Sequence, residues 1–129
     1  HETIEDAYEY IENAKSILKE KAQRINGYYS KPKYVKMAGN TAWNGVLVAL
    51  DLYMQKRGIT KKGRKKVEDY QDLIAKENRK LLKVFHSAYN YLHLLMGYDG
   101  DLNIKTAKTG LELAEEIIQW VEKRLQHKS

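Results

Sequence analysis

Apolar residues recur at helical spacing in five segments, and no segment sustains apolar–polar alternation of period two. The first predicted helix runs from about Ile4 to Ile25. Ile4, Tyr8, Ile11, Leu18, Ala22 and Ile25 follow steps of three and four that only Lys15 interrupts. Thr3 and Asp6 are spaced as a capping box, and Asn26-Gly27 suits a helix stop. The second helix starts near Pro32, a residue favoured in the first turn, and reaches about Arg57. Its small residues Ala38, Ala42, Gly45 and Ala49 form a stripe that admits a close neighbour. A glycine inside a helix costs about 1 kcal/mol relative to alanine, so Gly39 and Gly45 are read as packing sites. Trp43, Val46, Leu47 and Leu50 widen the apolar arc and make this the most buried helix. Asn40, Asn44 and Asp51 share one line on it, where they are either partnered or exposed.

The third segment, Arg64 to about Lys76, carries Val67, Tyr70, Leu73 and Ile74. The fourth, about Arg79 to Met96, carries Leu81, Val84, Phe85, Ala88, Leu92 and Leu95. The periodicity permits one helix from Val67 to Leu95, but Asn78 predicts a break with an N-cap. Residues 97–100 make a turn. The fifth helix, Ile104 to Leu125, shows the cleanest pattern and spans roughly 35 Å. Short connections between such helices predict an all-α fold. The expected architecture is an up-and-down four-helix bundle with an additional shorter helix, one domain over residues 1–129.

Composition changes the picture little. With 43% hydrophobic and 31% charged residues and no Cys, the chain is neither a disordered tail nor a disulfide scaffold. The longest apolar run, Val46 to Leu50, is far short of the roughly 20 residues that cross a membrane. No signal peptide is visible, and the expected location is cytoplasmic, with no membrane partner.

Charge changes it more. The formal net charge is +6. Seven basic residues and no acid lie in residues 56–66: Lys56, Arg57, Lys61, Lys62, Arg64, Lys65 and Lys66. Removing those seven from 23 leaves 16 basic against 17 acidic residues, a net of −1. The excess therefore belongs to one connector between the second and third helices. Such a cluster meets phosphate oxygens by displacing condensed counterions, so RNA is one expected partner and an acidic protein the other. A solvated connector is the plainer reading, with Lys56 and Arg57 at the negative end of a helix.

Ten of the 13 aromatic residues are tyrosines, the choice where a ring is buried and its tip hydrogen-bonded or wet. Tyr28, Tyr29 and Tyr34 are interleaved with Lys31 and Lys33, as in a stacking clamp for single-stranded bases or a loop that closes the bundle. In an up-and-down bundle this loop and the basic connector sit at opposite ends. On a 100° wheel, Arg79, Lys83, His86, Asn90, His93 and Gly97 fall on one face of the fourth helix, opposite the apolar arc. His there suits general acid–base work and Arg suits a developing negative charge, although a solvent face has the same composition. No metal site and no cofactor are expected. Two histidines seven residues apart are about 10 Å apart along a helix. Asp99, Asp101 and Asn103 begin like a calcium loop, but Ile104 and Gly110 stand where Gly and Glu belong.

Three stretches resemble the helices of the HEPN superfamily: Ala7-Tyr8 through Ala14 and Leu18, Tyr34 through Ala38, Ala42 and Leu50 to Gly58, and Ala107 through Leu111, Ala114 and Trp120-Val121. Residues 34–39, Lys62-Gly-Arg-Lys65 and residues 92–100 resemble more closely a small bacterial family of unknown function. The HEPN resemblance implies a helical bundle. In active members an Arg is followed, after four to six residues, by a catalytic His. Arg79 and His86 match that spacing, with Lys80 next to the Arg. Many members are non-catalytic binding subunits. The readings are thus a non-catalytic binding module acting through residues 56–66, as a monomer or a homodimer; a metal-independent ribonuclease using Arg79 and His86 across a dimer; and a structural interaction module with no nucleic-acid role.

Overall fold

The computed structural model describes residues 2–59, 63 and 65–126. In chain order the elements are α1 (Ile4–Glu20), β1 (Arg24–Ile25), β2 (Tyr28–Tyr29), α2 (Pro32–Lys56), α3 (Val67–Glu77), α4 (Arg79–Ala88) and α5 (Ile104–Leu125). A π-helix, Tyr89–Met96, continues α4 without a break. The fold is all-α but for the two short strands, and the helices are the five predicted.

Thr3 and Asp6 cap α1 reciprocally. The Thr3 N–H donates to Asp6 Oδ2 at 2.7 Å, and the Asp6 N–H donates to Thr3 Oγ1 at 3.4 Å. The helix ends at Glu20, five residues short of the expected Ile25. Gln23, Asn26 and Gly27 all have positive φ, which no right-handed helix accommodates. Asn26-Gly27 is the two-residue turn of a β-hairpin that pairs Arg24 with Tyr29 and Ile25 with Tyr28. Positive φ at both turn residues is what a type I′ hairpin demands, and Asn-Gly supplies it. Ile25, expected in the apolar stripe, is 56% exposed. The Tyr29 N–H donates to the Leu102 carbonyl at 2.9 Å, and Tyr28 bridges Asn103. The hairpin is thereby tied to the lead-in of α5.

The helix directions follow from who meets whom. Tyr8 meets Glu122 and Lys15 meets Glu115, so α1 runs against α5. Tyr53 stacks edge-on against Trp120 at 4.9 Å, and Lys56 reaches Arg124, so α2 and α5 are parallel. Trp43 of α2 packs on Phe85, Tyr89 and His93, while Gly39 lies beside Met96, so α4 and the π-helix run against α2. Parallel α2 and α5 touch directly, with α1 on one side and α4 with the π-helix on the other. The chain therefore goes up, down, up and down.

Close approach at the centre uses the small residues. Ala38, Ala42 and Ala49 are fully buried. A Cβ added at Gly39 would lie 2.5 Å from Met96 Cβ and 2.6 Å from the Leu92 carbonyl oxygen. One at Gly45 would lie 2.9 Å from the Ala7 carbonyl oxygen and 2.9 Å from Tyr10 Cβ. The two glycines thus admit different neighbours, the π-helix and α1.

Asn78 is extended (φ −165°, ψ 116°), and its Oδ1 accepts from the Leu81 N–H at 3.0 Å. The predicted break and N-cap both stand, and α3 folds back to bury Tyr70, Leu73 and Ile74. The π-helix was not expected. Its N–H groups reach five residues back, as in Gly97 N–H to Leu92 O at 2.9 Å, so each turn takes more than 3.6 residues. The 100° wheel loses phase there. Arg79, Lys83, His86 and Asn90 are exposed, but His93 turns onto Trp43 and Tyr89, and Gly97 turns onto α2. The six-residue polar face thus reduces to its first four members.

Candidate functional site

The described part of the basic segment is fastened to the bundle. Lys56 Nζ donates to the carbonyls of Arg124 and Leu125 at 2.6 and 3.2 Å. Those carbonyls belong to the last turn of α5, where intrahelical donors run out and the helix dipole is negative. Lys56 thus caps α5 rather than its own helix. Arg57 Nη2 lies 3.2 Å from Glu77 Oε1 of α3. Lys65 Nζ lies 3.3 Å from Asp51 Oδ1 of α2. The Lys66 N–H donates to Asp69 Oδ2 at 2.6 Å and starts α3. Lys61, Lys62 and Arg64 lie outside the described residues.

Both acids that clasp the segment also hold a tyrosine. Tyr53 Oη donates to Glu77 at 2.9 Å, and Tyr70 Oη donates to Asp51 at 2.8 Å. Burial first, and then the hydrogen bond to the carboxylate, hold both phenols above their ordinary value. Tyr8 has the same arrangement, through burial and Glu122, across α1 and α5. Tyr8, Tyr53 and Tyr70 therefore act as apolar bodies with hydrogen-bonded tips, the use that an abundance of tyrosine suggests. The partnering acids carry no such signal, because Glu77 lies 20 positions from Arg57 and chain order says nothing of their meeting.

At the other end of the bundle, the Tyr28–Tyr34 stretch is engaged by the chain's own cations. Arg24 lies over the buried Tyr29 ring at 6.0 Å. Lys21 and Lys33 lie over the Tyr34 ring at 5.8 and 5.5 Å. Tyr28 is the ring of this stretch that is open to solvent. The loop closes the bundle end, and among the described residues the two basic features do not meet.

Arg79 and His86 are both exposed on α4, seven residues and so about 10 Å apart along the axis. Neither forms an ion pair or side-chain hydrogen bond among the described residues. Asn40, on the line shared with Asn44 and Asp51, donates from Nδ2 to the Gly97 carbonyl at 3.3 Å. The calcium-like start is a helix cap: Asp101 accepts from the Asn103 N–H and the Thr106 hydroxyl, both at 2.9 Å, and Asn103 accepts from the Lys105 N–H. Among the described residues no three His, Cys, Asp or Glu side chains are grouped to hold a metal ion. No helix among them is long and apolar enough to cross a membrane.

No curated protein matches the chain. A solved structure, a protein of unknown function from Dyadobacter fermentans, is 43% identical. It superposes with a TM-score of 0.85, over 95% of this chain and 94% of that one. The model of a domain of unknown function matches residues 2–123, and the chain accordingly belongs to that family, DUF5618.

Proposed function

We propose that this protein is a non-catalytic, HEPN-like helical-bundle binding module that contacts RNA through residues 56–66. The observation that carries the reading is the concentration of charge. One eleven-residue segment holds seven cations, and the rest of the chain carries −1. The ion pairs of its described ends support it: Arg57 is held by Glu77 and Lys65 by Asp51, so both ends of the segment are fixed to the bundle. The HEPN likeness rests on the up-and-down order and on the small-residue spacing of α2. An exposed Arg79 and His86 with no orienting partner favour binding over catalysis.

The test is the affinity for a single-stranded RNA oligonucleotide against salt. Affinity falls as salt rises, with a slope of about 0.7 per phosphate contact. Lys61→Glu, Lys62→Glu and Arg64→Glu together flatten that slope. An affinity indifferent to both salt and these changes overturns the reading. Capture of an acidic protein by the same segment, with no RNA binding, replaces it.

A further inference from the structure

A groove of about 700 Å³ lies between α1 and α5 at the hairpin end, opposite the basic segment. Leu18, Tyr29, Ile104, Ala107 and Leu111 line it with apolar surface. Lys15, Lys19, Arg24 and Lys108 line it as well. Among the described residues the lining holds no acid, and the Tyr29 hydroxyl is its one neutral polar side-chain group.

The four cations are not equivalent. Lys15 is matched by Glu12 at 3.3 Å and Glu115 at 3.4 Å. Burial pulls its ammonium down, but the two carboxylates outweigh this and hold it above its ordinary value. Lys19, Arg24 and Lys108 make no ion pair among the described residues. Three uncompensated cations therefore surround an apolar trough, and they come from α1, β1 and α5. The hairpin supplies both Arg24 and the Tyr29 ring, so the type I′ turn is what completes this wall.

We propose that the groove binds a free amphipathic anion, an unbranched acyl chain bearing one carboxylate. The volume falls within the roughly 300–1,000 Å³ of small-ligand sites. A nucleotide or sugar would bring several O–H and N–H donors, for which the lining side chains offer one acceptor, the Tyr29 hydroxyl, and this disfavours it. An acyl chain has no such groups. Its methylenes lie on Leu18, Ile104 and Leu111, and its head meets Lys19, Arg24 and Lys108. The site is independent of the RNA reading, being built from other residues at the other end.

Dodecanoate titrated calorimetrically into the full chain, below its micelle concentration, tests this. One molecule binds per chain. Affinity rises about threefold per methylene from octanoate to dodecanoate. Arg24→Glu with Lys108→Glu weakens binding at least tenfold. Ile104→Gln weakens it too, with an unchanged melting curve showing that the fold is intact. Lys61→Glu with Lys62→Glu leaves it unaltered, so loss of RNA binding and loss of this site are separable. The proposal is overturned by no saturable binding, by equal affinity for dodecyltrimethylammonium, or by an affinity indifferent to Arg24→Glu with Lys108→Glu. An acidic helical peptide that binds the groove where dodecanoate does not also overturns it.

Discussion

The Tyr70 hydroxyl donates to Asp51 Oδ1 at 2.8 Å, and Lys65 Nζ reaches the same oxygen at 3.3 Å. One carboxylate on α2 therefore docks α3 and fastens the end of the basic segment. A second, Glu77, does the same in reverse, holding Tyr53 of α2 and Arg57 just beyond it from α3. The connector is clamped at both ends by acid–tyrosine pairs, and the packing of α3 is coupled to the placement of the cations.

Tyr70→Phe keeps the buried ring and removes only the hydroxyl. It is expected to destabilise the fold by about 1–2 kcal/mol, less than the roughly 1.5–3 kcal/mol of a hydrogen bond to a charged group because Lys65 still faces Asp51. The same pair sets a pH dependence. The folded Tyr70 pKa is raised, so its stability contribution is fully present below the unfolded value of about 10 and is lost as pH rises beyond it. Urea denaturation from pH 8 to 11 should show stability falling above about pH 10 in the wild type and falling less in Tyr70→Phe. Parallel curves would contradict the assignment.

Gly39 is the tightest point between α2 and the π-helix. Alanine there gains about 1 kcal/mol of helix propensity but puts a Cβ 2.5 Å from Met96 Cβ and 2.6 Å from a backbone oxygen. Backbone on both sides cannot yield cheaply, so Gly39→Ala is expected to destabilise by about 1–3 kcal/mol. Gly110→Ala meets instead the tip of a flexible side chain, Leu92 Cδ2 at 2.8 Å, and should cost less. Denaturant midpoints of the two variants check the order.

Where the physics is local, the chain is readable. The Thr3 cap, the Asn78 break and the 22 residues of α5 each follow from neighbours within a turn or from unbroken periodicity. The π-helix left no such mark, because an added residue per turn alters phase without altering composition. Asn26-Gly27 reads as a helix stop from its neighbours, yet the same pair serves a hairpin turn. The deciding partner, Leu102, lies over 70 positions away. The basic segment was visible as charge, but its clasps Asp51 and Glu77 were not. The groove was less visible still. Lys15 stood out only as an interruption in the α1 stripe, and Lys108 of α5 did not stand out at all.

The hairpin turn gives a local test of that ambiguity. Gly27 has φ 82° with nothing within 4 Å of an added Cβ, so alanine there meets strain but no clash. Gly27→Ala should cost about 1–2 kcal/mol, the penalty of a left-handed residue with a side chain. It should also speed amide exchange at Tyr29, whose N–H reaches Leu102. Unchanged exchange at Tyr29 would mean that the hairpin is held by its β2 contacts alone.

The polar face of α4 supplies the last expectation. Metal-free RNA cleavage needs a base within hydrogen-bond reach of the 2′-hydroxyl and fixed donors facing the developing charge. Arg79 and His86 are solvated, about 10 Å apart along the helix, and held by no neighbouring acid or carbonyl among the described residues. A freely moving guanidinium is not preorganised and stabilises a transition state weakly. The purified protein in EDTA is therefore expected to leave a fluorescent single-stranded RNA intact, and His86→Ala to be indistinguishable from the wild type. Cleavage by the wild type that His86→Ala and Arg79→Ala each abolish would replace the binding module with a nuclease. Concentration-dependent cleavage would place the missing groups on a second copy of the chain.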